Sequence, residues 1–283
     1  MSNIIVTADS TCDLDRGSID KYGIIICPLY VRTEEGEFRD GVDITAPKLF
    51  EYVSRTGQLP KTAACSVEDY TKLWKPYVDA GNEVVHIDIS GEFSSCYQNA
   101  CLAARELGNV YPVDSRNLSS GSGHLAIEAA ILAREGKSGR EIQEILDEKK
   151  QRLDVSFVID TMEYLAKGGR CSSVVSLAAG ILKIKPMIEV RDGKMGVGKK
   201  YRGKMSAVLR QYVHERLQAA GKVETKRIFI TDSGVDDEIV EECRKAVLEE
   251  APFEEIIHSV AGCTVSSHCG PGTLGILFFR AKE

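Results

Sequence analysis

The chain has 283 residues, 43% of them hydrophobic, with 36 lysines and arginines against 42 aspartates and glutamates, for a formal net charge of −6. That composition supports a full core and excludes a disordered chain, and the acidic balance argues against nucleic acid as a partner. The nine cysteines are odd in number, irregularly spaced and free of any Cys-x-x-Cys pair, so free thiols are expected in place of a disulfide framework or a metal site.

Residues 1–6 enter a strand at once, with no basic leader and no apolar stretch long enough for a signal or a span. A cytoplasmic protein without stable membrane insertion is expected. Apolar runs at 4–8, 24–28, 83–88, 110–113 and 155–159 alternate with helical periodicity at 46–56, 67–80, 94–107, 120–135 and 139–153. This alternation predicts α/β architecture: an N-terminal three-layer α/β/α domain with a parallel sheet over residues 1–155.

Within that half, hydroxyl-bearing segments follow the strand ends, where open α/β sheets bind ligands. They are Asp9-Ser10-Thr11-Cys12-Asp13, Ser90 to Gln98 and Asp114-Ser115, with a further loop at Pro60 to Ser66 that carries Thr62. Ser10, Asp13 and Ser66 read as helix caps. Ser94 and Ser95 stand at the start of a helix, where free N–H groups and the positive dipole end suit an anion. Ser119-Ser120-Gly121-Ser122-Gly123-His124 lacks the lysine of a phosphate-binding loop and the third glycine of a dinucleotide fingerprint, and reads as a device for close helix packing.

The pattern changes near Glu163 to Arg170, a short helix that Gly168 and Gly169 stop, leaving Arg170 on a defined turn. A helix at 173–184 follows, then strands at 186–190 and 195–201 around the hairpin signal Asp192-Gly193. Helices at 204–220 and 235–250, with strands at 227–231, 254–260 and 273–279, complete a C-terminal two-layer α/β domain with a mixed sheet over residues 156–283. Between the last two strands, Thr264 to Thr273 reads as a rigid turn that holds His268 before Gly270-Pro271-Gly272. Cys101 and Cys243 fall in helices as small core residues, whereas Cys65, Cys96 and Cys269 lie in loops beside the candidate residues.

The motifs Asp9 to Leu14, Asp40-Gly41-Val42-Asp43-Ile44, Lys61-Thr62, Ser94 with Tyr97-Gln98, Tyr164-Leu165 with Gly168-Gly169-Arg170, Lys185-Pro186, and His268 with Gly270-Pro271-Gly272 occur in an order that resembles the DegV family along nearly the whole chain. The resemblance implies a FakB-like fatty-acid carrier, not an enzyme in itself, that presents the carboxyl group of a long-chain fatty acid to a separate FakA-like fatty acid kinase. The acyl phosphate so formed feeds phospholipid synthesis. It further implies that Thr62 and Ser94, with Ser95, bind the carboxylate, that His268 orients the hydroxyls with Arg170 close by, and that Arg202 contacts the kinase or the transferred phosphate. No cofactor is implied besides the fatty acid as ligand. Where the family commonly has Thr-Ser-Gln-Pro-Ser and Leu-Ser-Gly-Thr-Tyr-Gln, this chain has Thr62-Ala63-Ala64-Cys65-Ser66 and Phe93-Ser94-Ser95-Cys96-Tyr97-Gln98, which predicts a less polar head-group pocket.

The physical chemistry agrees with such a ligand. Roughly fourteen buried methylenes contribute on the order of 11 kcal/mol, comparable with association costs of about 4–15 kcal/mol. The head group must then find charge-assisted partners worth about 1.5–3 kcal/mol each. Residues 174–182, and Ile276, Leu277 and Phe278, are apolar enough to line a tunnel or to fill a core. The competing readings are a hydrolase using Ser94 or Cys96 with His268 and Asp9, which lacks the Gly-x-Ser-x-Gly elbow, a nucleotide or sugar-phosphate enzyme, and a structural or regulatory binding module.

Overall fold

A computed structural model describes residues 3–174 and 184–282. The chain opens with β1 (Ile4–Asp9), α1 (Arg16–Tyr22), β2 (Ile25–Cys27), β3 (Tyr30–Thr33), β4 (Gly36–Arg39), α2 (Ala46–Thr56), β5 (Lys61–Ala63) and α3 (Val67–Asp79). It continues through β6 (Glu83–Asp88), α4 (Cys96–Leu107), β7 (Val110–Asp114), α5 (Ser120–Arg134) and α6 (Gly139–Lys149). Four of these strands form a parallel sheet in the order β2-β1-β6-β7.

The second half contains β8 (Leu153–Val158), α7 (Glu163–Gly168), β9 (Lys185–Arg191), β10 (Lys194–Tyr201) and α8 (Met205–Ala220). It ends with β11 (Val223–Ser233), α9 (Asp237–Glu250), β12 (Ile256–Val260), α10 (Cys263–Cys269) and β13 (Thr273–Arg280). Its sheet is mixed, in the order β10-β9-β8-β13-β11-β12, antiparallel except for the β11–β12 pair. The expected α/β class and the parallel and mixed sheets are therefore present.

Helix α5 explains how the halves join. Ser120 through Ala130 are all buried, small serines and glycines first and then a mainly apolar run, and α5 touches β1 and β6 on one flank and β8 and β13 on the other. Glycine makes that approach feasible: a Cβ at Gly123 would stand 2.6 Å from the Cys12 carbonyl oxygen, and one at Gly121 would stand 2.9 Å from Val155. The packing role expected for this segment is thus realised. Strand alternation divides the mixed sheet in the same manner. Phe157, Ile188 and Leu277 join the core around α5, whereas Val158, Met187, Ile276 and Phe278 join the core under α8 and α9.

Several expected boundaries differ. The segment expected as a loop around Thr62 is strand β5, which pairs with β3 in a small antiparallel sheet of order β4-β3-β5. The expected helix 139–153 stops at Lys149, and a 3-10 turn carries the chain to Leu153, the first residue of β8. The turn expected around His268 is helix α10. Of the helix expected at 173–184, residues 175–183 lie outside the described residues, as does most of the proposed tunnel stretch 174–182.

The capping assignments also divide. Ser66 caps α3 in a full capping box with Asp69, but Asp15 caps α1. Ser10 instead donates to Asp40 Oδ2 at 3.1 Å, and Asp13 turns its carboxylate towards α10. Asp192 and Gly193 both hold positive φ, as the two-residue hairpin turn between β9 and β10 demands.

Candidate functional site

Helix α10 has too few residues to be stable on its own, and its start is held by carboxylates from the opposite end of the sequence. Asp40 accepts from the backbone N–H groups of Cys263 at 2.7 Å and Thr264 at 3.0 Å, and Asp13 accepts from that of Gly262 at 2.8 Å. Two acidic side chains thus satisfy the free donors of the helix N-terminus and fix its axis. Burial, offset in part by the Ser119 hydroxyl at 2.5 Å, raises Asp13 well above the usual carboxylate range. The motifs around Asp13 and Asp40 are accounted for by this clamp.

Fixing α10 fixes His268 on it. Its Nε2 lies 3.0 Å from Thr62 Oγ1 on β5, across the boundary between the two halves. The other ring nitrogen, Nδ1, is buried without a hydrogen-bond partner among the described residues, and a Cβ on Gly168 would press to 2.4 Å from it. Burial, and then the nearby Arg170 guanidinium, lowers His268 to about 4, so the ring is neutral at neutral pH. A neutral imidazole donates to or accepts from Thr62, leaving the threonine hydroxyl oriented for a further partner.

Arg170 follows Gly169, whose φ of 70° closes α7 in the left-handed region. Its guanidinium donates to the Gly168 carbonyl at 2.7 Å. Arg170 is therefore both the cap of α7 and a wall of the adjoining cavity. Ser94 and Ser95 precede α4, with Ser95 in the N-cap position, and Ser94 Oγ donates to Cys96 Sγ at 3.1 Å and accepts from the Cys96 N–H at 3.3 Å. Behind them Cys27, Cys65 and Cys96 form a buried thiol cluster, with Cys27 Sγ 3.5 Å from Cys65 Sγ. Hydrogen bonding to its neighbour and burial push both Cys65 and Cys96 far up, so these thiols are neutral and apolar in character.

All five residues Thr62, Ser94, Ser95, Arg170 and His268 line one cavity of about 270 Å³ between the two halves. Among the described residues its wall is mainly apolar, including Leu29, Ile89, Phe93, Leu118, Phe157 and Leu277. Most ligand cavities measure about 300–1,000 Å³, are mainly apolar and carry a few convergent polar groups. Leu277 faces this cavity, whereas Ile276 and Phe278, equally apolar in sequence, belong to the other core. Arg202 does not line the cavity; it is exposed between β10 and α8.

Sequence reasoning missed a second polar set on the same wall. Thr264 lies one helical turn before His268 on α10, and its buried hydroxyl has no partner among the described residues. Ser119, Asp232 and Ser233 also reach the cavity, and Asp232 accepts from His258 at 2.7 Å. The pattern of α10 would have shown Thr264 and His268 on one face had the segment been read as a helix.

Among the described residues, a nucleophile, base and orienting acid are not assembled here. His268 bonds to Thr62, Ser94 bonds to Cys96, and Asp9 accepts from Thr11 and from the Ile89 N–H at 2.7 Å. The geometry provides oriented hydroxyls, a neutral imidazole and one cation at the mouth of an apolar cavity. Such a site can receive an anionic head group on an apolar tail.

Comparison with known proteins gives a concordant result. A family model described as "Uncharacterised protein, DegV family" matches residues 3–281. A DegV domain-containing protein of Caldanaerobacter subterraneus subsp. tengcongensis is 30% identical over 283 residues, covering 98% of this chain and 99% of its own. A Thermus thermophilus DegV-family structure described by its fatty acid binding superposes with a TM-score of 0.91 at 29% identity, covering 99% of this chain and 100% of that one. A stearic acid-binding protein from Eubacterium ventriosum superposes at 0.85 with 26% identity, covering 99% and 98%.

Proposed function

The chain belongs to the DegV family, and on that footing we propose that it binds a long-chain fatty acid between an N-terminal domain, residues 1–155, and a C-terminal domain, residues 156–283. The observation that carries the reading is the convergence of Thr62, Ser94, Ser95, Arg170 and His268, from separate segments, on a single apolar cavity. The fatty-acid binding described for the Thermus and Eubacterium relatives supports it further.

In this reading Thr62 donates its O–H to one carboxylate oxygen while His268 Nε2–H donates to Thr62 Oγ1, which fixes the direction of the chain of hydrogen bonds. Ser94 turns its hydroxyl from the Cys96 thiol, a weak acceptor, to the carboxylate, a strong one. Ser95 and the N–H groups at the start of α4 add the positive end of the helix dipole. Arg170 supplies the cation, and the acyl chain lies against Phe157, Leu277 and their neighbours. The neutral thiols of Cys65 and Cys96 leave the head-group pocket less polar than hydroxyls would.

The protein acts as a carrier that holds the carboxyl group for phosphorylation by a separate FakA-like kinase, with Arg202 at the contact and the acyl phosphate passing to phospholipid synthesis. The carrier does not perform the chemistry. Organic extraction of protein purified from cells, followed by mass spectrometry, is expected to release about one acyl chain per molecule; an empty protein that also takes up no added fatty acid contradicts the reading. The kinase step is tested separately, by trapping acyl phosphate with hydroxylamine when loaded protein, a FakA-like kinase and ATP are combined. Hydroxamate is expected, and its loss in Arg202→Ala with binding intact assigns Arg202 to the encounter.

A further inference from the structure

The fatty-acid reading leaves unused a second cavity of about 340 Å³, enclosed by the loop after β7, the start of β8, the hairpin turn at Asp192-Gly193, the end of α8 and the end of β13. Five cations surround it: Arg116, Lys150, Arg191, Arg216 and Arg280. Among the described residues only two carboxylates, Asp154 and Asp192, share its lining, in a chain whose overall charge is −6. A cationic concentration of this kind runs against the charge of the molecule as a whole.

The partners of these cations sort them into two groups. Arg216 is neutralised by Asp154 at 2.6 Å and Glu189 at 2.9 Å, and Arg191 by Glu189 at 2.9 Å. Arg116 and Arg280 are held differently, by the backbone carbonyls of Asp192 and Gln151. A carbonyl occupies one of a guanidinium's five N–H donors and cancels none of its charge. Lys150 is held by the Asp114 carbonyl at 2.8 Å and pairs with the half-exposed Asp147 at 2.7 Å. The cavity thus offers two guanidinium forks with donors to spare and a largely buried ammonium.

We propose that this cavity is a second ligand site, for a phosphate-bearing small molecule, separate from the apolar cavity. The guanidinium fork matches two oxygens of a phosphate, and a dianion suits Arg116 and Arg280, which backbone carbonyls hold in place of carboxylates. A polar wall excludes a second acyl chain. Arg116 and Arg280 would hold the phosphate bidentately, with Lys150 as the point charge behind it. The assignment does not depend on what the first cavity holds.

Calorimetric titration of the full chain with inorganic phosphate and with pyrophosphate tests it. Saturable binding that weakens as salt rises is expected, at least about tenfold weaker in Arg116→Gln/Arg280→Gln and unchanged in Arg16→Gln, an exposed arginine paired with Asp20. Arg116→Lys, which keeps the charge but loses the fork, is expected to fall between. Failure of the wild-type protein to bind either probe in the millimolar range overturns the proposal whether or not the variants fold. Equal affinity in a double variant whose thermal midpoint and fatty-acid uptake are normal overturns it as well.

Discussion

At His268 two opposing demands meet: a buried ring beside a cation must stay neutral, yet it must orient a hydroxyl that serves an anion. The consequence is a pH dependence whose sign is fixed. The native ring titrates near about 4, below its ordinary value of 6.5, so between those values the unfolded chain binds a proton that the folded one does not. Stability therefore falls as pH drops from 6.5 to 4, by on the order of 3 kcal/mol from this residue. Asp9 acts in the opposite sense, because burial and the nearby Asp88 raise it to about 6, so below that value the native state holds the proton more tightly. The informative comparison is then wild type against His268→Gln: the wild type should lose more stability in denaturant titrations between pH 6.5 and 4, and parallel profiles would contradict the assignment. Thr62→Val and Ser94→Ala should each weaken fatty-acid binding about tenfold or more, since each removes one hydrogen bond to a charged group. Ser94→Ala should leave the thermal midpoint nearly unchanged, whereas Thr62→Val, which also strips His268 Nε2 of its partner, should lower stability by about 1–3 kcal/mol. Equal affinities would refute the head-group roles. Ser94 and His268 were legible in the sequence because a hydroxyl after a strand end and a histidine before Gly-Pro-Gly are local patterns, whereas Thr62 stood in a segment read as a loop and lies on strand β5. Thr264 was not, because its place on the cavity wall depends on a helix start held by Asp13 and Asp40, and no local pattern reveals partners from the far end of the chain.

Among the elements, α10 and α5 do the most to shape the site, and in each a single substitution disturbs a contact that positions it. Asp40 accepts two backbone N–H groups and the Ser10 hydroxyl. Asp40→Asn keeps the shape but turns one acceptor into a donor, so one N–H of α10 is left unpaired. A loss of about 1–3 kcal/mol in chemical denaturation is expected, accompanied by weaker fatty-acid binding as His268 shifts; full stability would show that α10 does not need the clamp. Gly123→Ala on α5 forces a methyl group to 2.6 Å from the Cys12 carbonyl oxygen and should cost about 1–3 kcal/mol through displaced backbone. The long helices and strands were readable because apolar spacing repeats within each of them. Strands β3, β4 and β5 were missed because elements this short carry no period, and β5 is a strand only by virtue of pairing with β3.

For the molecule as a whole, the two sheets share α5 and one continuous core, so the cavity between them is a gap in a packed interior with walls set by both halves. The alternation of strands and helices, and the change of pattern near Arg170, made the α/β layers legible. Which apolar residues line the cavity and which fill the core was not legible, because Leu277 and its neighbours Ile276 and Phe278 differ only in which face of β13 they occupy. Calorimetric titration of the delipidated protein with a long-chain fatty acid and with its methyl ester measures whether this gap holds a fatty acid by its carboxylate. Saturable one-to-one binding of the acid is expected, with the ester bound more weakly by about tenfold or more, since the ester cannot accept the charge-assisted hydrogen bonds of Thr62 and Ser94. No saturable binding of the acid, or an ester bound as tightly as the acid, would contradict it.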